Sequence, residues 1–469
     1  MLHGGKLFMK LLAALLLLTA VAAYAQPASC TPTVSVVPSV RAEGLADYVG
    51  DLVLVCTGGT PTPAGSPVPM VNLILTLNTF LTSKLLAPNW SEALVLVDEP
   101  GSGISPGTPQ LACGAAGTVE TFPGVCAITG TGTGAGVYSG TGARANVFQG
   151  RQSANNQVMW SLPMDAPAAG GLRLFRMTNV RANDAALGVP PTPPANVVYA
   201  VALTGPAIPT VVSPVGTFGF SLPSMTFSVV GAPTLPRCTP TNAALFASPA
   251  ASGTPNFSVR FQETFPTAFK PRSGAAFAGP DVSPVPTAQD TPGTVTYNET
   301  DFYNPGFPAI AGRGDLSLAG LANQGTRFAV SFTGVPVGVE LFVQTTAAMA
   351  KVSDGTPTSG IARLVSTAAD GSGVFTPAPG NAFGIAPVPL TGGDGQAVFE
   401  VMNADAFNVE RADVPIYVAF NRAHHGTAMA GGTLAPISTV GVSSATAPIP
   451  RFIDGRVPQT AFVLPNPCH

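Results

Sequence analysis

The chain has 469 residues, of which 10% are charged and 46% hydrophobic, with a net charge of −3, 52 glycines and 48 prolines. Charge this far below the usual ~25%, with ample apolar content, excludes disorder driven by self-repulsion and indicates a packed core with many turns. With no basic cluster, the chain lacks the electrostatic footprint that nucleic acid or an anionic membrane surface requires, so neither is expected as a partner.

Lys6 and Lys10 precede an apolar run over 11–23, followed by Ala23-Tyr24-Ala25. A basic start, a short apolar segment and a small-x-small site predict an export signal over 1–25, too short to span a bilayer, with no transmembrane segment left after its removal. Export fits the cysteines: Cys30, Cys56, Cys113, Cys126, Cys238 and Cys468 form an even set beyond the signal. Spacing alone permits several connectivities. The expected pairs are Cys30 with Cys56, Cys113 with Cys126, and Cys238 with Cys468. No Cys-x-x-Cys occurs, so neither a thioredoxin-like exchange motif nor a zinc ribbon has its signature. Cys30 follows Pro27-Ala28-Ser29 rather than a lipoprotein box.

Strand signals then recur along the chain. Strands are expected at 51–56, at 71–78 with Val71, Leu73, Leu75 and Leu77 on one face, and at 93–97, 172–180, 197–203 and 416–420. At 327–332 the alternation predicts Phe328, Val330 and Phe332 inward, with Arg327 and Ser331 facing solvent or a partner. Gly334-Val335-Pro336-Val337-Gly338 reads as a turn pairing that strand with 339–344. The best helical candidate, 79–86, is short enough to be a loop.

Short strands between Gly, Pro, Ser and Thr clusters predict an all-β protein of multi-domain antiparallel β-sandwiches, immunoglobulin-like or jelly-roll-like. The proline-punctuated stretch ending at Pro236 sets the expected boundary: a domain over 26–236 and a second over 237–469. A thin echo between Leu174-Phe175-Arg176-Met177-Thr178-Asn179 and Val398-Phe399-Glu400-Val401-Met402-Asn403 is compatible with related halves, although sandwich alternation generates such echoes by itself. The opening Tyr48-Val49-Gly50-Asp51-Leu52-Val53-Leu54-Val55-Cys56-Thr57-Gly58-Gly59, with Arg176-Met177-Thr178-Asn179-Val180-Arg181-Ala182-Asn183 further on, resembles exported, β-rich bacterial proteins of unassigned function. The resemblance implies an address and a fold, and no activity.

Chemistry-bearing motifs are weak. Adjacent His424 and His425 point to opposite faces of extended chain, which disfavours chelation of one metal. Asp98, Glu99, Glu299 and Asp301 are the carboxylates a glycosidase would recruit, and Tyr297-Asn298-Glu299-Thr300-Asp301 has the makings of a sugar or calcium site, yet both stretches read better as surface loops. The run Thr129-Gly130-Thr131-Gly132-Thr133-Gly134-Ala135-Gly136 lacks the spacing and the following helix of a phosphate cradle. Arg313-Gly314-Asp315 matches an adhesion tripeptide that recurs by chance, and Asn89, Asn256 and Asn298 are glycosylation sequons.

No catalytic, cofactor-binding or metal residue is assigned, and no cofactor is expected. The sequence therefore predicts a non-enzymatic structural or adhesive component of the bacterial cell surface or extracellular matrix, located in the periplasm or outside the cell. Its expected partners are itself, other surface proteins or glycans. The alternatives are a carbohydrate-binding protein, a glycan-directed hydrolase and, further off, an outer-membrane β-barrel, for which Trp (2) and Tyr (7) are scarce.

Overall fold

The computed structural model describes residues 28–34, 36–98, 109–188, 196–206, 208–231, 255–273, 277–283, 285–286, 297–420, 426–454 and 460–464. They form an all-β protein with two 12-stranded sheets, both mainly antiparallel, and three two-stranded ribbons. Along the first sheet the strands run Thr210–Val211, Ser29–Val34, Leu52–Gly58, Ala168–Thr178, Trp90–Val97, Val147–Ala154, Gln157–Pro163, Met70–Leu77, Asn196–Thr204, Val215–Leu222 and Ser39–Arg41, with Leu85–Ala87 beside Trp90–Val97. Along the second they run Met225–Val230, Phe257–Glu263, Glu410–Phe420, Thr346–Lys351, Pro357–Val365, Asp394–Asn403, Arg327–Thr333, Gly426–Ala435 and Thr460–Leu464, with Val339–Gln344, Ile385–Val388 and Leu390–Thr391 attached.

Each sheet folds over a core of its own, so that opposing stretches face each other as sandwich layers. In the first, Cys30 near one end of the strand order and Phe218 and Val40 near the other share one apolar cluster. Met70–Leu77 shows how the sequence does this: strict alternation sends Val71, Leu73, Leu75 and Leu77 inward while their neighbours stay half-buried. In the second, Phe328, Val330 and Phe332 are fully buried together, as their spacing predicts.

Three expectations are corrected. The turn after Phe332 does not pair its flanking strands: Arg327–Thr333 lies between Asp394–Asn403 and Gly426–Ala435, whereas Val339–Gln344 pairs with Ile385–Val388 and Glu410–Phe420. The connection anchors itself by burying Val335, whose N–H donates to Gly393 O (2.9 Å), and leads away from the strand just left. Arg327 faces neither solvent nor a partner but lies fully buried on Glu400 (2.8 Å). The sheets change at Pro223-Ser224, ahead of Pro236, because Met225 and Phe227 already alternate into the second core.

The two bodies adjoin along a deep seam. Trp90–Val97 is buried on both faces: Ala93, Val95 and Val97 enter the first core, while Leu94 and Leu96 are covered by Phe302, Phe307, Ile310, Leu316 and Ala319 from the second half. Further contacts run from Leu45 N to Arg451 O (2.9 Å), Ile453 N to Glu43 O (3.0 Å) and Leu85 N to Ser444 O (3.1 Å).

Candidate functional site

Glu299 and Asp301, read from sequence as surface acids, are 2% and 5% exposed. The stretch that carries them lies in the seam. Arg41, at the end of Ser39–Arg41, donates Nη1 and Nη2 to the Glu299 carboxylate (2.7 and 3.1 Å) and Nε and Nη2 to Asp47 (Nη2 at 2.6 Å), with its guanidinium 4.7 Å from the centre of the Phe452 ring. Thr326 Oγ1 donates to Glu299 (2.6 Å). Burial opposes the Arg41 charge, yet Asp47 and Glu299 hold its pKa above the ordinary value. Burial likewise opposes the Asp47 charge, and Arg41 holds that carboxyl below the ordinary range.

Asp301 sits in a neighbouring network. Its Oδ2 accepts from Asn179 N (3.1 Å), near Arg176, which pairs with Asp51 (2.9 Å) and lies over Phe302. Burial, reinforced by the Asp51 charge, pushes Asp301 up to about 8 against the pull of Arg181 and Arg176. Arg181 lies 3.3 Å from Glu92 and donates to Glu299 O (2.8 Å), while Glu92 also accepts from Gly320 N (3.0 Å), and Lys84 Nζ donates to Leu321 O (2.9 Å). A carboxyl raised this far is a recognised mark of catalytic sites, but the groups packed around Asp301 are protein groups of the seam.

A cavity of about 420 Å³ lies elsewhere, on the second sheet. It is bounded by the end of Pro357–Val365, the loop that follows, and strands Ile385–Val388 and Asp394–Asn403. Its lining is Ala, Pro, Val and Leu with Ser366, Thr367 and Gln396, and none of these side chains titrates near neutral pH. Exposed aromatics form a third feature. Tyr297 and Phe407 are 40% and 77% exposed with ring centres 5.6 Å apart. Phe407 is held by a turn in which Asp405 accepts from Phe407 N (2.9 Å) and Asn408 Nδ2 (2.8 Å).

The remaining sequence candidates separate cleanly. Asp98 is a buried partner of Arg173 (2.7 Å), with its pKa raised by burial. Cys30–Cys56 and Cys113–Cys126 are disulfides, the first between directly opposed residues of adjacent strands. The thiolates that would make Cys113, Glu120 and Cys126 a metal cluster are thereby consumed. Arg313 is not displayed as an adhesion tripeptide requires: it is 1% exposed, paired with Glu120 (2.6 Å) and packed on Trp90. The Gly-rich run is a loop without a helix, and its Gly134 O accepts from Arg173 (2.7 Å). Glu99, His424, His425, Cys238 and Cys468 lie outside the described residues.

Sequence reading passed over Arg41, Asp47, Glu92, Arg176 and Arg181, which carry the seam. A signal was present. In a chain with 10% charge, Arg173, Arg176 and Arg181 are set among Leu172, Leu174, Phe175, Met177 and Val180, and a charge embedded in an apolar strand requires a buried counter-charge.

No protein-family model matches the chain, and no curated protein matches it. Among solved structures it is similar to the C-terminal domain of the AgI/II polypeptide BspA of Streptococcus agalactiae, with TM-score 0.26 and 8% identity over 91% of this chain and 100% of that one. The C-terminal domain of the antigen I/II-family protein AspA of Streptococcus pyogenes gives 0.22 and 7% over 91% and 93%. The CupB6 tip adhesin of Pseudomonas aeruginosa gives 0.15 and 8% over 90% and 97%. TM-scores this low do not establish a shared topology and transfer no ligand or partner.

Proposed function

We propose that this chain is an exported, disulfide-stapled, non-enzymatic component of the bacterial cell surface or extracellular matrix, with a structural or adhesive role. The observation that carries the reading is the fate of Glu299: the acid best suited to chemistry on sequence grounds is buried against Arg41 and Thr326. Its charge is used to join two bodies. The cavity, by contrast, is apolar and lined by side chains without acid–base chemistry. Two disulfides suit an oxidising compartment. Both sheets pack apolar side chains inside, whereas a channel-forming outer-membrane barrel turns polar ones inward.

A second reading, carbohydrate binding, is favoured by the exposed Tyr297–Phe407 pair, since aromatic faces at the surface suit the apolar faces of sugar rings. The test incubates the secreted protein with glycan and peptide panels and measures self-association by sedimentation. No turnover, with concentration-dependent association or binding to cell-surface material, supports the structural or adhesive role. Turnover abolished by Glu299→Gln or Asp301→Asn, in variants that keep the wild-type melting temperature, contradicts it. Glycan binding lost in Phe407→Ala selects the second reading.

A further inference from the structure

The chain crosses from the first sheet to the second through Leu222-Pro223-Ser224-Met225, and two other segments meet it there. Asp184 N and Ala185 N both donate to Gly44 O (2.9 and 3.1 Å). Ser221 Oγ donates to Asp184 Oδ2, and Ser224 N donates to the carboxylate of Glu43 (3.1 Å to Oε2). Two acids and two serine hydroxyls thus share one corner.

The charges in that corner do not balance. Asp184 is 0% exposed, its Oδ1 has no hydrogen-bond partner, and the charged groups that act on it are Asp47 and Glu43, both acids. Asp47 is matched by Arg41 (2.6 Å), which leaves the like charge of Glu43 acting on Asp184. Ser224 Oγ is also buried and unpartnered, and the bond from its own N–H fixes it beside Glu43. A buried carboxylate without a counter-charge is strongly unfavourable, and a buried hydroxyl without a partner adds to that.

We infer that this corner binds a hard divalent cation, calcium in the first instance, through Asp184 Oδ1, the Glu43 carboxylate and Ser224 Oγ. All three are oxygen donors, the set that calcium prefers, and calcium tolerates the mixed carboxylate, hydroxyl and water shell that three protein ligands imply. The cation would tie together three segments where the chain passes between sheets. It would balance the two acids with no demand on the disulfides or the cavity.

The test uses the full chain, stripped with EDTA and titrated with CaCl₂ and, separately, MgCl₂, reading the melting temperature and the heat of binding. A saturable rise is expected for calcium, with affinity on the order of 10⁻⁴ to 10⁻³ M, the range of extracellular modules. Asp184→Asn and Glu43→Gln should each weaken that affinity at least about tenfold; both remove charge from a repelling pair, so neither variant should lose its fold. No calcium-dependent shift in the wild-type chain, or a shift retained in both variants, overturns the inference. So does a melting temperature insensitive to calcium that rises as pH falls through about 7 and loses this dependence in Asp184→Asn, because a proton would then be neutralising the corner.

Discussion

The two curled sheets fill their interiors by different means. The first is lined mainly by Leu and Val, with Phe148, Phe175, Phe218, Tyr138, Tyr199 and Trp160 among them, and is held by Cys30–Cys56, Cys113–Cys126 and the buried pairs Arg173–Asp98 and Arg176–Asp51. The second rests on rings. Phe328 stands 4.4 Å from Phe261, 5.5 Å from Phe269 and 5.8 Å from Phe399, while Phe462 joins Phe257 and Phe332. Among the described residues this body has no disulfide. Aromatic bulk buries much area per residue with little side-chain entropy to lose, so phenylalanine fills this core, and the buried pair Arg327–Glu400 (2.8 Å) gives the second sheet an ionic tie of its own.

The seam belongs to neither scheme, and it gives the sharpest way to break the comparison. Arg41→Ala leaves Asp47 and Glu299 buried without their counter-charge and should destabilise the chain by about 3–5 kcal/mol in urea unfolding. A loss below about 1 kcal/mol would show that water reaches the pair. Phe328→Ala, at the meeting point of the ring cluster, should lose a similar ~3–5 kcal/mol through lost burial and the cavity left behind. A small loss there would mean that the rings are not sharing one core.

Disulfide removal addresses the first body. In the chain-entropy picture, replacing both cysteines of Cys30–Cys56 by serine should remove about 3.5 kcal/mol, and of Cys113–Cys126 about 3 kcal/mol, from their sequence separations of 26 and 13. Peptide mapping under non-reducing conditions reads the same bridges directly.

A pH dependence is also expected. Burial pushes Asp301 up to about 8 and Glu263 up to about 8, the latter while it accepts from Phe269 N (2.6 Å) and Glu410 N (2.8 Å). Between the ordinary carboxyl range near 4 and about 8 the folded chain then holds protons that the unfolded chain has released, so this contribution is complete below about 4 and is lost as pH rises through about 8. Asp47 acts with the opposite sign, adding stability above its unfolded pKa that is lost only in stronger acid. Melting temperature should therefore fall as pH rises from about 5 to about 8.5, and Asp301→Asn should flatten that slope. An unchanged slope would assign the dependence to other groups.

Much of the fold was legible because alternation is a strong signal wherever one face is buried. Val71, Leu73, Leu75 and Leu77 declared their face, as did Phe328, Val330 and Phe332. Pairing was not legible. The Gly- and Pro-containing connection after Thr333 has the residues of a hairpin turn, yet its strands take other partners, because strand order is decided by packing across the core. The seam was missed for a related reason. Glu299 and Asp301 stand among Asn298, Thr300 and Tyr303, which read as a loop, and only the long-range approach of Arg41 and Asn179 turns that loop inward. Trp90–Val97 carried a partial clue, since its continuous apolar run over 93–97, unlike the alternating Met70–Leu77, requires a cover on both faces.

The central claim is that buried charge at the seam makes the two sheets one cooperative unit. Differential scanning calorimetry of the full chain, compared with Arg41→Ala, tests it most directly. The account predicts a single wild-type transition whose calorimetric and van't Hoff enthalpies agree, splitting or broadening in Arg41→Ala as the seam loosens. Two separate transitions in the wild-type chain, with neither midpoint moved by Arg41→Ala, would contradict it.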